Sequence, residues 1–309
     1  MITSLFRKST PLNYSLVIIG VIFVFFIFQI HVNVGAISGF VIVQDIFLLG
    51  IIFASLFTTN FITKKNGLSK DSAYTVLFYF LFLMFFPSVW SNIDLLLSNF
   101  FILLAMRRIL SMHSAKAPKE KIFDASLWIF IASFFHFWSV LFILLVFMSI
   151  LFNTSRDYRN WILPFIACFV ATTIFVLVAL FFETNWISIL LDNSKINYKI
   201  DYFKNNYQNL ALSIYASITL FFVVSMIFSI SKKAVIIQSS YNKIITAFII
   251  GILIFIISPF KSNDILIFTI APLSIMATSH IEMTKIKLQQ EIILGVFIIC
   301  SFFVYFSQL

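Results

Sequence analysis

The chain has 309 residues, 61% of them hydrophobic and only 11% charged, with a mean hydropathy of +1.05. A soluble domain is about half apolar and about a quarter charged, so a water-soluble globule is excluded and lipid must solvate much of the surface. The net charge of +9 does not indicate a nucleic-acid partner, because the cations lie in short gaps between long apolar runs, as the positive-inside rule expects.

In chain order, Arg7 and Lys8 precede an apolar run at 12–30. No small-residue cleavage site follows it, so the run is expected to be a retained helix rather than a signal peptide. At about 20 residues per span, further helices are expected at 40–57, 73–90 and 93–110. The next apolar stretch, 122–152, is 31 residues long. As one helix it would measure about 46 Å, well beyond a hydrocarbon core of about 30 Å.

Charge decides how to read this stretch. With a cytoplasmic N-terminus and two short helices, 122–135 and 137–152, only Lys195, Lys199, Lys204 and Lys261 of the 21 cations lie outside. One long helix would place seven outside. The split is more polarised, so the stretch is expected to be a helical pair, either two spans or a re-entrant hairpin. Beyond it, helices are expected at 161–182, 210–230, 244–258, 265–279 and 291–307. The expected fold class is all-α: a polytopic transmembrane bundle of about eleven helices in one domain, 1–309. The N-terminus is inside and the C-terminus outside. The largest outer loop is 183–209, in which the apolar piece 186–191 could lie at the membrane interface.

Phe is abundant, at 42 residues, and reads as packing and lipid-facing surface. With only 7 Gly, close Gly-xxx-Gly seams are not the main packing device. Cys168 and Cys300 read as inert buried thiols. No phosphate-binding, dinucleotide-binding, serine-esterase or zinc motif is present, and the four histidines are widely separated. Neither a metal nor a cofactor is expected.

Ionisable groups in spans are the usual pointer to function. Asp45, near the outer end of the second helix, is the hardest to explain structurally. Asp94, Asp124 and Asp264 each stand at a helix start, where capping is the simpler reading. His136 marks the outer turn of the helical pair; an interfacial belt competes with a substrate or proton role. Lys261 could pair with Asp264 or hold a phosphate as a point charge. The scarcity of ionisable groups at mid-helix counts against a pump or ion-coupled carrier, and no internal repeat supports a transporter.

Three stretches, LLLSNFFILLAMRRILS at 95–111, KIFDASLWIFIASFFHFWSVLFILLVFMSIL at 121–151 and RDYRNWILPF at 156–165, resemble an uncharacterised family of polytopic inner-membrane proteins of Bacteroidota. Its layout is similar to GT-C glycosyltransferases, which use polyprenyl-phosphate sugars. In those enzymes a short helical pair follows a basic inner loop, as 122–152 does here, and an outer basic residue precedes a Pro-containing helix, as Lys261 and Pro272 do. They also carry an acid in a long first outer loop. Here that loop is only about 31–39 and has no acid; Asp45 is the nearest match.

The resemblance implies a multi-pass inner-membrane subunit of a cell-envelope complex (export, glycan or surface assembly), non-catalytic on a degenerate GT-C-like scaffold. Its partners would be membrane lipids and other integral membrane proteins. The alternative is a transferase using a polyprenyl-phosphate-linked glycan, with Asp45 as base or metal ligand and Lys261 on phosphate. A lipid or small-solute transporter is the third reading.

Overall fold

The computed structural model describes residues 2–32, 39–114, 117–154, 157–182, 185–198 and 206–309. The predicted first outer loop falls mainly on 33–38, and Lys199 and Lys204 on 199–205, so these lie outside the described residues. No strand occurs among the described residues. The helices are α1 (Ile2–Phe6), α2 (Pro11–Val32), α3 (Gly39–Lys65), α4 (Tyr74–Leu83), α5 (Ile93–Leu110), α6 (Pro118–Phe135), α7 (Ile143–Asn153), α8 (Arg159–Phe181), α9 (Trp186–Asn193), α10 (Asn206–Ile230), α11 (Val235–Ile257), α12 (Ile267–Met283) and α13 (Lys287–Gln308).

Among the described residues, eight helices are long and apolar enough to cross a membrane, and three of the expected eleven form as shorter or more polar helices. The three exceptions have physical causes. The helix predicted over 73–90 continues only to Leu83, and the chain turns before Pro87, which opens a 3-10 turn, Pro87–Ser91. At ten residues, α4 is only about 15 Å long. The predicted pair does form, but α6 starts in the charged run Pro118–Lys121, and α7 has 11 residues after a 3-10 turn, Phe137–Phe142. The break falls at His136, where the backbone is extended (φ −138°, ψ 104°). The ion pair Lys119–Asp157 (3.1 Å) joins the start of α6 to the segment after α7. The chain therefore goes out and returns to the same end, and a single long helix is excluded.

Long-range contacts fix the two ends of the bundle. At one end Thr3 donates its hydroxyl to the Glu291 carboxylate, and Tyr74 donates to the Thr3 carbonyl (2.6 Å). At the other, Gln308 donates to the Phe85 carbonyl (3.0 Å), and Ser88 donates to Asp264. Because α13 connects Glu291 to Gln308, residues 3 and 308 lie at opposite ends. Cations gather at the first end: Lys64 meets Asp71 (2.7 Å), Arg108 meets Asp124 (2.8 Å), and Lys233 donates to Ser279 (2.6 Å). This is the basic end. The other is the His136 end.

Asp124 is thus an ion-pair partner rather than a cap. Lys243, predicted in a loop, lies buried in α11, which starts nine residues earlier than the predicted 244. Its ammonium reaches the carbonyl of Ile109 (3.3 Å) in the last turn of α5, which also accepts from the Ser111 N–H.

At the centre, every residue of α4 is buried, and α12 is buried along nearly its whole length. Phe side chains do the packing that their abundance suggested. The rings of Phe78, Phe82 and Phe85 on and just after α4 meet Phe297 of α13 and Phe222 and Tyr215 of α10, with Phe82 and Phe297 centroids 4.7 Å apart. Close backbone approach is used at Gly251, where a Cβ would stand 2.7 Å from Thr269 Cγ2 and 3.3 Å from the Phe268 backbone. There α11 crosses α12 tightly.

Candidate functional site

The His136 end holds a cavity of about 680 Å³. It is framed by the first turn of α5 (Asn92, Asp94), the hairpin turn (His136) and the link between α11 and α12 (Ser258, Lys261). The segment after α8 closes one side with Asn193 and Asn197. A second chamber, of about 710 Å³, adjoins it and shares Asp94, Phe135, Phe137 and Asn193. Its remaining wall is almost wholly apolar, from α6 (Leu127, Ile131), α8 (Ile174, Phe175) and α9 (Trp186, Ile189). The site is thus polar at one end and greasy at the other.

Three residues singled out in the sequence, Asp94, His136 and Lys261, line the polar chamber together. Asp94 does not cap α5. That role belongs to Asn92, whose side-chain oxygen accepts from the Leu95 N–H (3.1 Å). The Asp94 carboxylate is left exposed in the first turn, with no hydrogen bond or ion pair among the described residues. The α5 dipole favours a negative charge there.

His136 is placed by the helix break. Its Nε2 lies 3.2 Å from Ser258 Oγ, and its ring packs on Phe268 (5.6 Å between centroids). Ser258 spends its only proton on the Ile254 carbonyl (2.8 Å). It therefore accepts from His136, which assigns the Nε2–H tautomer and leaves Nδ1 as an acceptor. Burial pushes the ring's pKa down to about 4, so it stays neutral and offers one donor and one acceptor.

Lys261 does not pair with Asp264. Its ammonium donates to the carbonyl of Asn197, which ties the α11–α12 link to the segment after α9. Asn197 also reaches back through Nδ2 to the Pro259 carbonyl (3.2 Å) and through its N–H to Ile257 (3.3 Å). Asp264 sits behind the cavity in the 3-10 turn Asn263–Leu266, is almost fully buried, and accepts from Ser88. Asp45 lies half-buried on α3, outside the lining of both chambers, with no partner among the described residues.

Sequence reading missed the chamber's neutral polar wall of Asn92, Asn193, Asn197 and Ser258. Their only signal was a scatter of Asn and Ser at predicted outer turns. The apolar chamber had no local signal, since α6, α8 and α9 make it by packing. No group of three or more metal-ligating side chains occurs among the described residues. The arrangement offers one carboxylate, one imidazole and one ammonium beside an apolar slot. Its ammonium can meet a phosphate as a point charge, and the slot can take a hydrocarbon chain by its shape.

No curated protein matches the chain, and no solved structure does. Residues 4–309 match a family described as a family of unknown function, DUF6427. That match covers nearly the whole sequence, so the chain, a protein of membrane-crossing helices, belongs to the DUF6427 family.

Proposed function

We propose that this protein is an inner-membrane subunit of a cell-envelope assembly complex that binds a polyprenyl-phosphate-linked glycan without processing it. The observation that carries the reading is the joining of a polar chamber lined by Lys261 to an apolar chamber of similar size. A lipid phosphate needs both: a cation for the head and a dry slot for the first isoprene units. The GT-C-like layout of the sequence supports the same ligand class. The cation-rich basic end supports a cytoplasmic N-terminus, which puts the cavity on the periplasmic side.

Binding is tested by thermal unfolding of the full chain in detergent, titrated with a long-chain polyprenyl phosphate or with the matching polyprenol. The phosphate should stabilise more, and Lys261→Gln should remove the difference. Equal stabilisation by the polyprenol would exclude phosphate recognition. A subunit should also purify with stoichiometric membrane partners under gentle solubilisation; a clean monomer would argue strongly against a complex.

One observation favours a second reading, a glycosyltransferase. Asp94 has no partner among the described residues and lines the same chamber as His136 and Lys261, so in this reading Asp94 rather than Asp45 would act as base. Envelope glycan profiles of a deletion strain complemented with Asp94→Asn or Asp45→Asn decide this. Full rescue by both variants supports the non-catalytic reading, and loss with Asp94→Asn alone supports the enzyme.

A further inference from the structure

The basic end carries a further pocket, of about 490 Å³, that the proposed function leaves unused. Four cations from three separate segments line it: Arg7 after α1, Lys70 between α3 and α4, and Lys285 and Lys287 at the turn from α12 into α13. Its one carboxylate, Glu282, is already committed. It accepts from the hydroxyls of Ser69 (2.7 Å) and Ser72 (2.5 Å) and from the N–H of Lys70 (2.9 Å). Those bonds clamp the 69–72 loop onto α12 and hold Lys70 at the rim, with its ammonium 3.3 Å from the Glu282 carbonyl.

Arg7, Lys285 and Lys287 have no acidic partner among the described residues. Nearby, Lys64 is paired with Asp71 and Arg108 with Asp124. Here like charges converge on a concave site, and an anion is the missing partner.

We propose that this pocket holds the phosphodiester headgroup of an anionic membrane phospholipid. Two observations point to a lipid source. The pocket lies where α2, α12 and α13, each able to span the membrane, have their ends, which is the depth of headgroups. Ile286 and Leu288, alternating with the two lysines, are 61% and 71% exposed and give acyl chains an apolar surface. This proposal is independent of the cavity at the His136 end.

Native mass spectrometry of the delipidated full chain tests it, with phosphatidylglycerol, phosphatidylcholine and inorganic phosphate as separate probes. Phosphatidylglycerol should be preferred over phosphatidylcholine. An interfacial cation shifts such binding about fivefold, so Lys285→Gln/Lys287→Gln should lower the preference on the order of twentyfold. Both lysines are exposed, so the variant should fold; Lys195→Gln at the other end should keep the preference. An unchanged preference in the double variant would overturn the proposal. Displacement of phosphatidylglycerol by millimolar inorganic phosphate would also overturn it, because the site would then serve a soluble phosphate compound.

Discussion

Lys119 meets Asp157 at 3.1 Å, and this contact closes the helical hairpin whose turn delivers His136 to the cavity. Had 122–152 been one rod, its far end would lie at the opposite end of the bundle from Lys119. In a cysteine-free background (Cys168→Ser, Cys300→Ser), Lys119→Cys and Asp157→Cys should therefore react with an impermeant maleimide from the same side of the membrane. Phe260→Cys, 75% exposed beside Lys261, should react from the other. Labelling of 119 and 157 from opposite sides would refute the hairpin.

The aromatic nest predicts a sharp contrast between two Phe substitutions. Phe82 is fully buried among Phe297, Phe222 and Tyr215, and Phe82→Ala should cost about 3–5 kcal/mol. Phe228, 75% exposed on α10, should change thermal stability in detergent by about 0.5 kcal/mol or less when cut to Ala. Similar losses at both positions would mean that the nest is not the stabilising core.

Glycine gives a second contrast. Gly251→Ala would place a Cβ within 2.7 Å of Thr269 Cγ2 and against the Phe268 backbone, so α11 and α12 must separate. Overpacking of this kind costs about 1–3 kcal/mol. Gly295 on α13 has open space at its Cβ position, and Gly295→Ala should be neutral or stabilising by up to about 1 kcal/mol through helix propensity. Melting temperatures of the two variants should move in opposite directions, or only that of Gly251→Ala should fall.

The legible part of this structure was what hydropathy and charge encode. The apolar runs located the long helices, and the cation count placed the break at His136. Helix ends were less legible where tertiary contacts override composition. Lys243 would start a loop in isolation, yet burial beside the Ile109 carbonyl lets α11 begin at Val235. At the site, Asp94, His136 and Lys261 were visible as isolated polar residues, but nothing local showed that they share a chamber. Asp45 drew attention because a span-embedded acid is unusual, and only the packing of α3 shows that it faces neither chamber. The Lys261–Asp264 pair looked natural from a spacing of three. It fails because Ser88 reaches Asp264 across the bundle and the Asn197 carbonyl reaches Lys261.

Lys233 makes stability depend on pH in the alkaline range. It lies in the turn between α10 and α11, half-buried, and burial lowers its ammonium from 10.5 to about 8, with Glu282 partly opposing. The Tyr241 ring 3.9 Å from Nζ and the Ser279 hydroxyl also favour the charged form, so the ammonium persists at neutral pH. Between about pH 8 and 10.5 the unfolded chain holds a proton at this position that the folded chain has released. Stability attributable to this group therefore rises with pH across that window, and the full cost of burying the charge is present below it. Lys233→Gln removes the titrating group and keeps a donor for Ser279. The difference in melting temperature between variant and wild type should be most favourable to the variant below pH 8, then narrow or reverse towards pH 10. A difference that stays constant over that range would show that the ammonium titrates alike in the folded and unfolded chain.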